Sequence, residues 1–263
     1  MKIIVCMKQV PDTNQVKIDP VKGTLIRDGV PSIINPDDKN ALEEAVRLKE
    51  RIPGTTVTVL SMGPGQAMNA LRECLAMGAD EAILMSDRAF GGSDTFATAT
   101  VLAAGIRKIG DYDIILCGRQ AIDGDTAQVG PQIAEFLSIP QISYVEKLEI
   151  EGDKVVAHRA TEEGCYIIES PMPVLLTAIK ELNVPRYPHM KRIHEAFSPE
   201  APIQVWTVED VEIDRTQIGL KNSPTNVMKS FTPFREFQSR RLEGSLPEIA
   251  KTLVGTFHEM NLI

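Results

Sequence analysis

Small and polar residues are concentrated between positions 118 and 130, directly after the short apolar run 113–117. An apolar run that ends in glycine and polar residues, followed by a helix-like segment, predicts a parallel strand, a loop at its carboxyl end and a helix. Ligands of open α/β sheets bind at that edge, and the small residues of the loop would let the backbone approach a ligand closely. Because the amides that open the next helix favour an anionic group, the chemistry indicated is nucleotide binding through a phosphate or pyrophosphate.

The spacing of this loop leaves two interpretations open. It matches neither G-x-G-x-x-G nor G-x-x-x-x-G-K-[ST], the two spacings that identify common phosphate loops. The segment is equally well explained as a strand-to-helix connection in which Asp125 caps the helix.

A wider comparison of motifs favours the nucleotide interpretation. The loop closely resembles the nucleotide-binding loop of the beta subunits of electron-transfer flavoproteins. Further segments resemble that family in the same order along the chain, namely residues 1–11 (MKIIVCMKQVP), Asn35-Pro36 ahead of 41–45, 62–64, 76–80 and 222–224. A looser match spans residues 159–178 and departs from the family at Glu163. The resemblance therefore covers nearly the whole chain.

The resemblance implies a nucleotide site built from several loops. Cys6 would lie against the adenine side, although the residue is equally well explained as core. The Asn35–Asp38 segment would contact the adenosine portion and would also begin a helix. The implied cofactor-binding residues are Cys6, Asn35, Pro36, Asp37, Asp38, Met62, Gly118, Arg119, Gln120, Ala121, Ile122, Asp123, Gly124, Asp125, Thr126, Ala127, Gln128, Val129 and Gly130.

Two loops resemble one branch of this family. Its members pair with an alpha subunit that holds one FAD, while the beta subunit carries AMP or, in electron-bifurcating members, a second FAD. Residues 123–131 resemble the FAD-binding members, and 90–95 resemble the loop of bifurcating members where NADH approaches the flavin. The implied NADH-binding residues are Gly91, Gly92, Ser93, Asp94 and Thr95, which are otherwise explained as a plain loop with Asp94 as a helix cap.

This branch implies a function in which no residue of the chain is itself catalytic. NADH would give a hydride to the FAD of this subunit, and the two electrons would then separate. One would pass to the alpha-subunit FAD and a flavin-dependent dehydrogenase acting on a CoA thioester or a hydroxy acid, and one to ferredoxin or flavodoxin. A non-bifurcating subunit with structural AMP is the main alternative.

Two other classes of protein remain open at this stage. The Gly91–Asp94 segment superficially resembles the S-G-G-x-D-S loop of ATP-using adenylating enzymes, but Phe90 stands where that loop begins with serine, and the loop does not follow the first strand. The other class is a nucleotide-binding signalling module without a redox role, which would be purified without flavin.

Residues 181–188 (ELNVPRYP) resemble the segment with which the family docks its dehydrogenase. The implied docking residues are Leu182, Pro185, Arg186 and Tyr187, and Leu182 matches the anchoring leucine. Val184 replaces an acidic residue that is common in other members. Local packing of Leu182 is the alternative explanation.

Composition narrows the class of protein. A net charge of −8 argues against nucleic acid as a partner, because phosphate binding needs clustered basic residues. The chain starts in a short polar-flanked strand and has no long apolar run, so we expect a cytoplasmic protein without membrane contact. The four cysteines fall in separate apolar runs and the four histidines lack ligand spacing, which predicts small buried thiols and no metal.

The element pattern predicts a doubly wound, mostly parallel sheet in three layers, with an antiparallel meander over 142–168. The resemblance implies the adenine nucleotide alpha hydrolase-like version of this α/β fold. A hairpin around Asp28-Gly29 would join 24–27 to 32–34. The first domain would span residues 1–190, and 191–263 would form a C-terminal arm that packs on the alpha subunit and ends in a helix over 246–262.

Overall fold

Strands and helices alternate along most of the chain in a computed structural model, which describes residues 1–12, 17–18, 25–26, 31–225, 239 and 241–263. The strands are β1 (Lys2–Cys6), β2 (Gln9–Pro11), β3 (Lys17–Ile18), β4 (Leu25–Ile26), β5 (Ser32–Ile34), β6 (Thr56–Met62), β7 (Glu81–Met85), β8 (Ile114–Gly118), β9 (Gln141–Glu151), β10 (Lys154–Thr161), β11 (Gly164–Pro171), β12 (Val174–Ala178) and β13 (Ile203–Trp206). The helices are α1 (Pro36–Arg51), α2 (Met68–Met77), α3 (Thr95–Ile109), α4 (Val129–Leu137), α5 (Met190–Ala196) and α6 (Leu246–Glu259).

A nine-stranded sheet organises the first unit, with strand order β11-β10-β9-β12-β8-β1-β6-β7-β13. In the stretch β9-β12-β8-β1-β6-β7-β13 of this order, every strand is parallel to its neighbours. Strands β9, β10 and β11 form an antiparallel meander. The predicted mostly parallel sheet and the predicted meander are therefore both confirmed.

Helices cover both faces of the parallel strands, which makes the predicted three layers. In β1, Ile3 and Val5 face a core that contains residues of α1 and α2, while Ile4 and Cys6 face a second core that contains residues of α3 and α4. Buried apolar side chains on alternate faces are expected of a strand that lies between two helical layers.

The predicted hairpin around Asp28-Gly29 is wrong. Ser32–Ile34 pairs with Gln9–Pro11, and Leu25–Ile26 pairs with Lys17–Ile18. Residues 27–30 lie outside the described part of the chain. Strands of two or three residues carry too little periodicity to identify their partners.

The chain divides into two units, Met1–Met228 and Lys229–Ile263. The first unit extends beyond the boundary predicted after residue 190, because β13 joins the sheet beside β7. Trp206 and Val208 are buried in its second core.

The second unit contains α6, which begins at a reciprocal capping box between Ser245 and Glu248. This confirms the predicted terminal helix, which ends slightly earlier than expected. Within the described ranges, none of the helices has the length and apolar character needed to cross a bilayer.

Burial of the cysteines agrees with expectation at three of the four positions. Cys6, Cys74 and Cys117 are buried, but Cys165 is exposed, so the prediction is wrong there. The reason is topological: Cys165 lies on β11, the edge strand of the sheet, whose first four residues are all exposed.

Candidate functional site

A cavity of about 1210 Å³ lies at the carboxyl ends of β1, β6, β7 and β8 in the first unit. Parallel strands end at the same edge of a sheet, and the loops that follow them surround this space. The structure therefore forms a single large cavity where the sequence predicted a ligand.

The cavity brings together residues that are far apart in sequence. Its described lining includes Cys6, Asp38, Met62, the whole Gly91–Thr95 segment and every residue from Gly118 to Gly130 except Ile122. Asn35, Pro36 and Asp37 do not line it. Asp38 is therefore the residue of the 35–38 segment that lines the cavity.

Asn35 instead binds the backbone of the 118–130 loop without lining the cavity. It is completely buried; its side-chain amide donates to the Gln120 carbonyl at 2.8 Å, and its Oδ1 accepts from the Ile122 amide at 3.1 Å. The 35–38 segment begins α1 as expected, although Asn35 itself makes no side-chain cap. Its contribution is to fix the loop that faces the cavity.

Asp38 joins the ends of two central strands. Its carboxylate accepts hydrogen bonds from the backbone amides of Lys8 and Gly118, both at 2.8 Å. Burial raises the pKa of this carboxyl to about 7, even though the two amides favour the charged form. Asp38 is thus a structural acceptor whose charge is disfavoured by its surroundings.

We expect Asp38 to make folding stability fall as the pH rises. This carboxyl binds its proton more tightly in the folded state than in the unfolded state. The free energy of unfolding therefore falls as the pH rises from the unfolded pKa, near 4, to the folded pKa, near 7. The contribution is at most about 1.4 kcal/mol per pH unit. Chemical denaturation of wild type and Asp38→Asn across this range measures it: the difference between the two proteins should change with pH. A constant difference would show that Asp38 does not titrate there.

The glycines of the loop serve different purposes. A Cβ at Gly118 would lie 2.7 Å from Asp37 Cβ, and one at Gly130 would lie 2.8 Å from Cys117 Sγ. At both positions the protein's own packing requires glycine. A Cβ at Gly124 would meet nothing within 4 Å, so Gly124 is the glycine of this loop that borders open space.

The start of α4 faces the cavity without a side-chain cap. The helix begins at Val129 and follows Gln128, so the alternative interpretation, in which Asp125 caps this helix, is wrong. Two residues of the loop have left-handed backbone conformations, Asp125 with φ 48° and Ala127 with φ 53°. The helix therefore begins only at residue 129. Uncapped amides at the end of a helix provide a favourable place for an anion.

The Gly91–Thr95 segment is tied to a later part of the same unit. Asp94 accepts from the Ala97 amide at 3.0 Å, which confirms it as the cap of α3, and from the amide and hydroxyl of Thr225 at 2.9 and 2.8 Å. Burial acts to raise the pKa of Asp94, but these donors outweigh it and hold the pKa below its usual range. A Cβ at Gly92, where φ is 72°, would lie 2.9 Å from Leu220 Cβ. Both residues thus have structural roles at the cavity wall.

The 182–187 segment lies against α1 and away from the cavity lining. Arg186 Nε lies 2.8 Å from the buried carboxylate of Glu43, and its Nη2 lies 3.0 Å from Glu50. The Asn183 side chain donates to the Asn40 carbonyl at 3.0 Å. These contacts hold the segment in one conformation.

The sequence prediction missed several residues of the cavity wall. Lys8 Nζ lies 2.7 and 2.8 Å from the two carboxylate oxygens of Asp123. This ion pair connects the 118–130 loop to the end of β1. Their place directly after a parallel strand could have identified some of these residues, because Lys8 follows β1 and Ser86 and Asp87 follow β7. Further missed lining residues are Met7, Gly63, Pro64, Arg88, Phe90, Thr98, Leu102, Cys117, Ile133 and Thr225.

The sequence was compared with those of known proteins. The pattern of the electron transfer flavoprotein domain matches residues 22–211. The chain is 59% identical over 263 residues to the electron transfer flavoprotein subunit beta of Thermoanaerobacterium thermosaccharolyticum, with all of both chains covered. It is 54% identical over 264 residues to the caffeyl-CoA reductase-Etf complex subunit CarD of Acetobacterium woodii, and 47% identical over 271 residues to the acryloyl-CoA reductase electron transfer subunit gamma of Anaerotignum propionicum, again with all of both chains covered.

Proposed function

The chain belongs to the electron transfer flavoprotein family as a beta subunit, and from this premise we propose that it binds FAD in the cavity and oxidises NADH there. Bound flavin would supply the redox chemistry, namely acceptance of a hydride from NADH. One electron would then go to the alpha-subunit FAD and a partner dehydrogenase, and the other to ferredoxin or flavodoxin. The protein's part is to bind and orient both nucleotides.

One observation carries the choice of FAD over AMP. The 118–130 loop and the 91–95 loop line a single cavity, and its volume of about 1210 Å³ exceeds the roughly 300–1,000 Å³ typical of sites for drug-sized ligands. AMP is a single nucleotide, whereas FAD consists of two nucleotide-like halves. A space of this size bordered by both loops favours a dinucleotide with room for a second ligand beside it.

Residues of the loop fit an anionic group. Arg119 lines the cavity, and its Nε is buried without a hydrogen-bond partner among the described residues. The uncapped start of α4 borders the same space. A pyrophosphate bound there would accept hydrogen bonds from the uncapped amides of α4, and the Arg119 guanidinium would compensate its negative charge.

The exposed residues of the 91–95 loop suit contact with NADH, an electron donor that must bind and then dissociate. Gly91 and Gly92 are exposed and present backbone at the cavity wall. Asp94 is less free than its sequence context predicts, because it already caps α3 and binds Thr225. We therefore assign NADH contact in this loop chiefly to backbone groups of Gly91, Gly92 and Ser93.

The second part of the proposal concerns the proteins with which this chain assembles. Names of two relatives connect them to CoA-thioester reductases, those for caffeyl-CoA and acryloyl-CoA. We propose that this chain forms a heterodimer with an alpha subunit through residues 229–263, and that the 182–187 segment docks a dehydrogenase of that kind.

Cofactor content tests the proposal directly. The chain is co-purified with its alpha subunit, the nucleotides are extracted with acid and separated, and the intact heterodimer is titrated anaerobically with NADH. We expect two FAD per heterodimer, no AMP, and bleaching of flavin absorbance by NADH. One FAD and one AMP would overturn the NADH-oxidising proposal and leave a non-bifurcating subunit, and a colourless protein would overturn flavin binding altogether.

A further inference from the structure

Tyr144 has an unusual backbone conformation in the middle of β9. Its φ is 58°, in the left-handed region, which is strained for a bulky residue. The pairing of β9 with β12 shifts at this point, since Ile142 pairs with Leu176 and Val145 with Ala178. Two residues of β9 thus oppose one residue of β12, which defines a β-bulge.

A buried hydroxyl holds the bulge in place. The Tyr144 amide, which the bulge removes from the regular ladder, donates to Thr177 Oγ1 at 3.0 Å. Thr177 is 1% exposed, so this bond is protected from water. Bulges of this kind redirect a side chain, and the question is what the redirected ring contacts.

The redirected ring contacts Arg119. The Arg119 guanidinium carbon lies 5.8 Å from the centroid of the Tyr144 ring, within the range of a cation–π interaction. Arg119 Nε lies 3.6 Å from the Asp37 carboxylate, too far for a hydrogen bond. The guanidinium is therefore held between an aromatic ring and a carboxylate at the cavity wall.

We propose that Tyr144 is a positioning residue, which fixes the Arg119 guanidinium so that it binds a phosphate or pyrophosphate group of the nucleotide in the cavity. This inference rests on the proposed function. A free arginine side chain loses rotamer freedom when a ligand immobilises it, and prior fixation by Tyr144 reduces that loss on binding. The contact of Arg119 with Asp37, which lacks hydrogen-bond geometry, leaves the guanidinium available to the ligand.

The test compares ligands with and without a phosphate. The full-length heterodimer is stripped of nucleotide and titrated with FAD, AMP and adenosine. Tyr144→Gly removes the ring and accepts the left-handed backbone without strain, so its melting temperature should not fall. We expect it to bind AMP and FAD about threefold to thirtyfold more weakly and adenosine unchanged, because adenosine has no phosphate. Tyr144→Phe keeps the ring and should bind all three ligands normally.

A double-mutant cycle separates positioning from general packing. If Tyr144 acts through Arg119, then Tyr144→Gly should weaken AMP binding no further in an Arg119→Gln background. Additive effects, or an equal loss for AMP and adenosine, would overturn the role of Tyr144. A wild-type heterodimer that binds neither FAD nor AMP would overturn the proposed function, and this assignment with it.

Discussion

Replacement of Gly118 by alanine should lower the free energy of unfolding by about 3 kcal/mol or more, at the upper end of the range for overpacking. The new Cβ would lie 2.7 Å from Asp37 Cβ and 2.8 Å from the Asp37 carbonyl carbon. A backbone atom cannot rotate away, so either α1 or β8 must move. Movement of either element would also break the bond from the Gly118 amide to Asp38. Chemical denaturation of the isolated chain measures the loss.

Gly124→Ala is the matched control, six residues further along the same loop. Its Cβ would meet nothing within 4 Å, and Gly124 does not have a left-handed backbone, so the free energy of unfolding should stay within about 0.5 kcal/mol of wild type. If a nucleotide occupies that space, Gly124→Leu should lower the flavin content of the purified heterodimer while the melting temperature of the nucleotide-free protein is unchanged. Equal destabilisation by Gly118→Ala and Gly124→Ala would show that the close approach of Gly118 to α1 is wrong.

The contrast between these two glycines explains how far the sequence could predict the site. The strand, loop and helix from Ile114 to Leu137 are local, and their apolar and small residues predict them without knowledge of any partner. What each glycine faces is not local: Gly118 meets Asp37, some 80 positions away. Sequence pattern therefore identified the loop, but it could not separate the glycines that pack against the protein from Gly124, which borders open space.

The same distinction accounts for the errors in the fold. The helix α3 was predicted with its cap, because Asp94 and the apolar run after it are adjacent in sequence. β13 was missed because four residues in a polar, proline-rich region become a strand only beside β7, more than a hundred positions earlier. The alternative interpretation with Asp125 as a helix cap is wrong because two left-handed residues move the start of α4 to Val129. Nothing in the local pattern indicates such a conformation for Asp125 and Ala127.

The proposed docking segment presents its side chains unequally. Val184 and Tyr187 are 81% and 94% exposed, whereas Leu182 is half-buried and packs against the first core. Arg186, implied as a docking residue by the family resemblance, is engaged with Glu43 and Glu50 on α1. The pair Asn183 and Arg186 thus anchors the segment, and the residues between and after them are the ones available to a partner.

Tyr187→Ala should therefore weaken docking of the dehydrogenase without affecting the fold. Exposed aromatic residues on a preorganised segment are frequent hot spots, and loss of one costs on the order of 1–3 kcal/mol, about fivefold to a hundredfold in affinity. The apparent KM for the heterodimer in electron transfer to the dehydrogenase should rise by that factor. Reduction of an artificial dye by NADH and the melting temperature should stay at wild-type values.

Leu182→Ala should also weaken docking, but its half-buried position predicts a simultaneous loss of stability, so the two variants have to be compared. Tyr166→Ala provides the matched control, because Tyr166 is an exposed tyrosine on the edge strand β11, outside the proposed docking segment. If Tyr187→Ala and Tyr166→Ala both leave the KM unchanged while Leu182→Ala lowers only the melting temperature, Leu182 belongs to the core and the segment does not dock the dehydrogenase. If Tyr166→Ala raises the KM as much as Tyr187→Ala, docking occurs through the meander, and the assignment of residues 182–187 must be withdrawn.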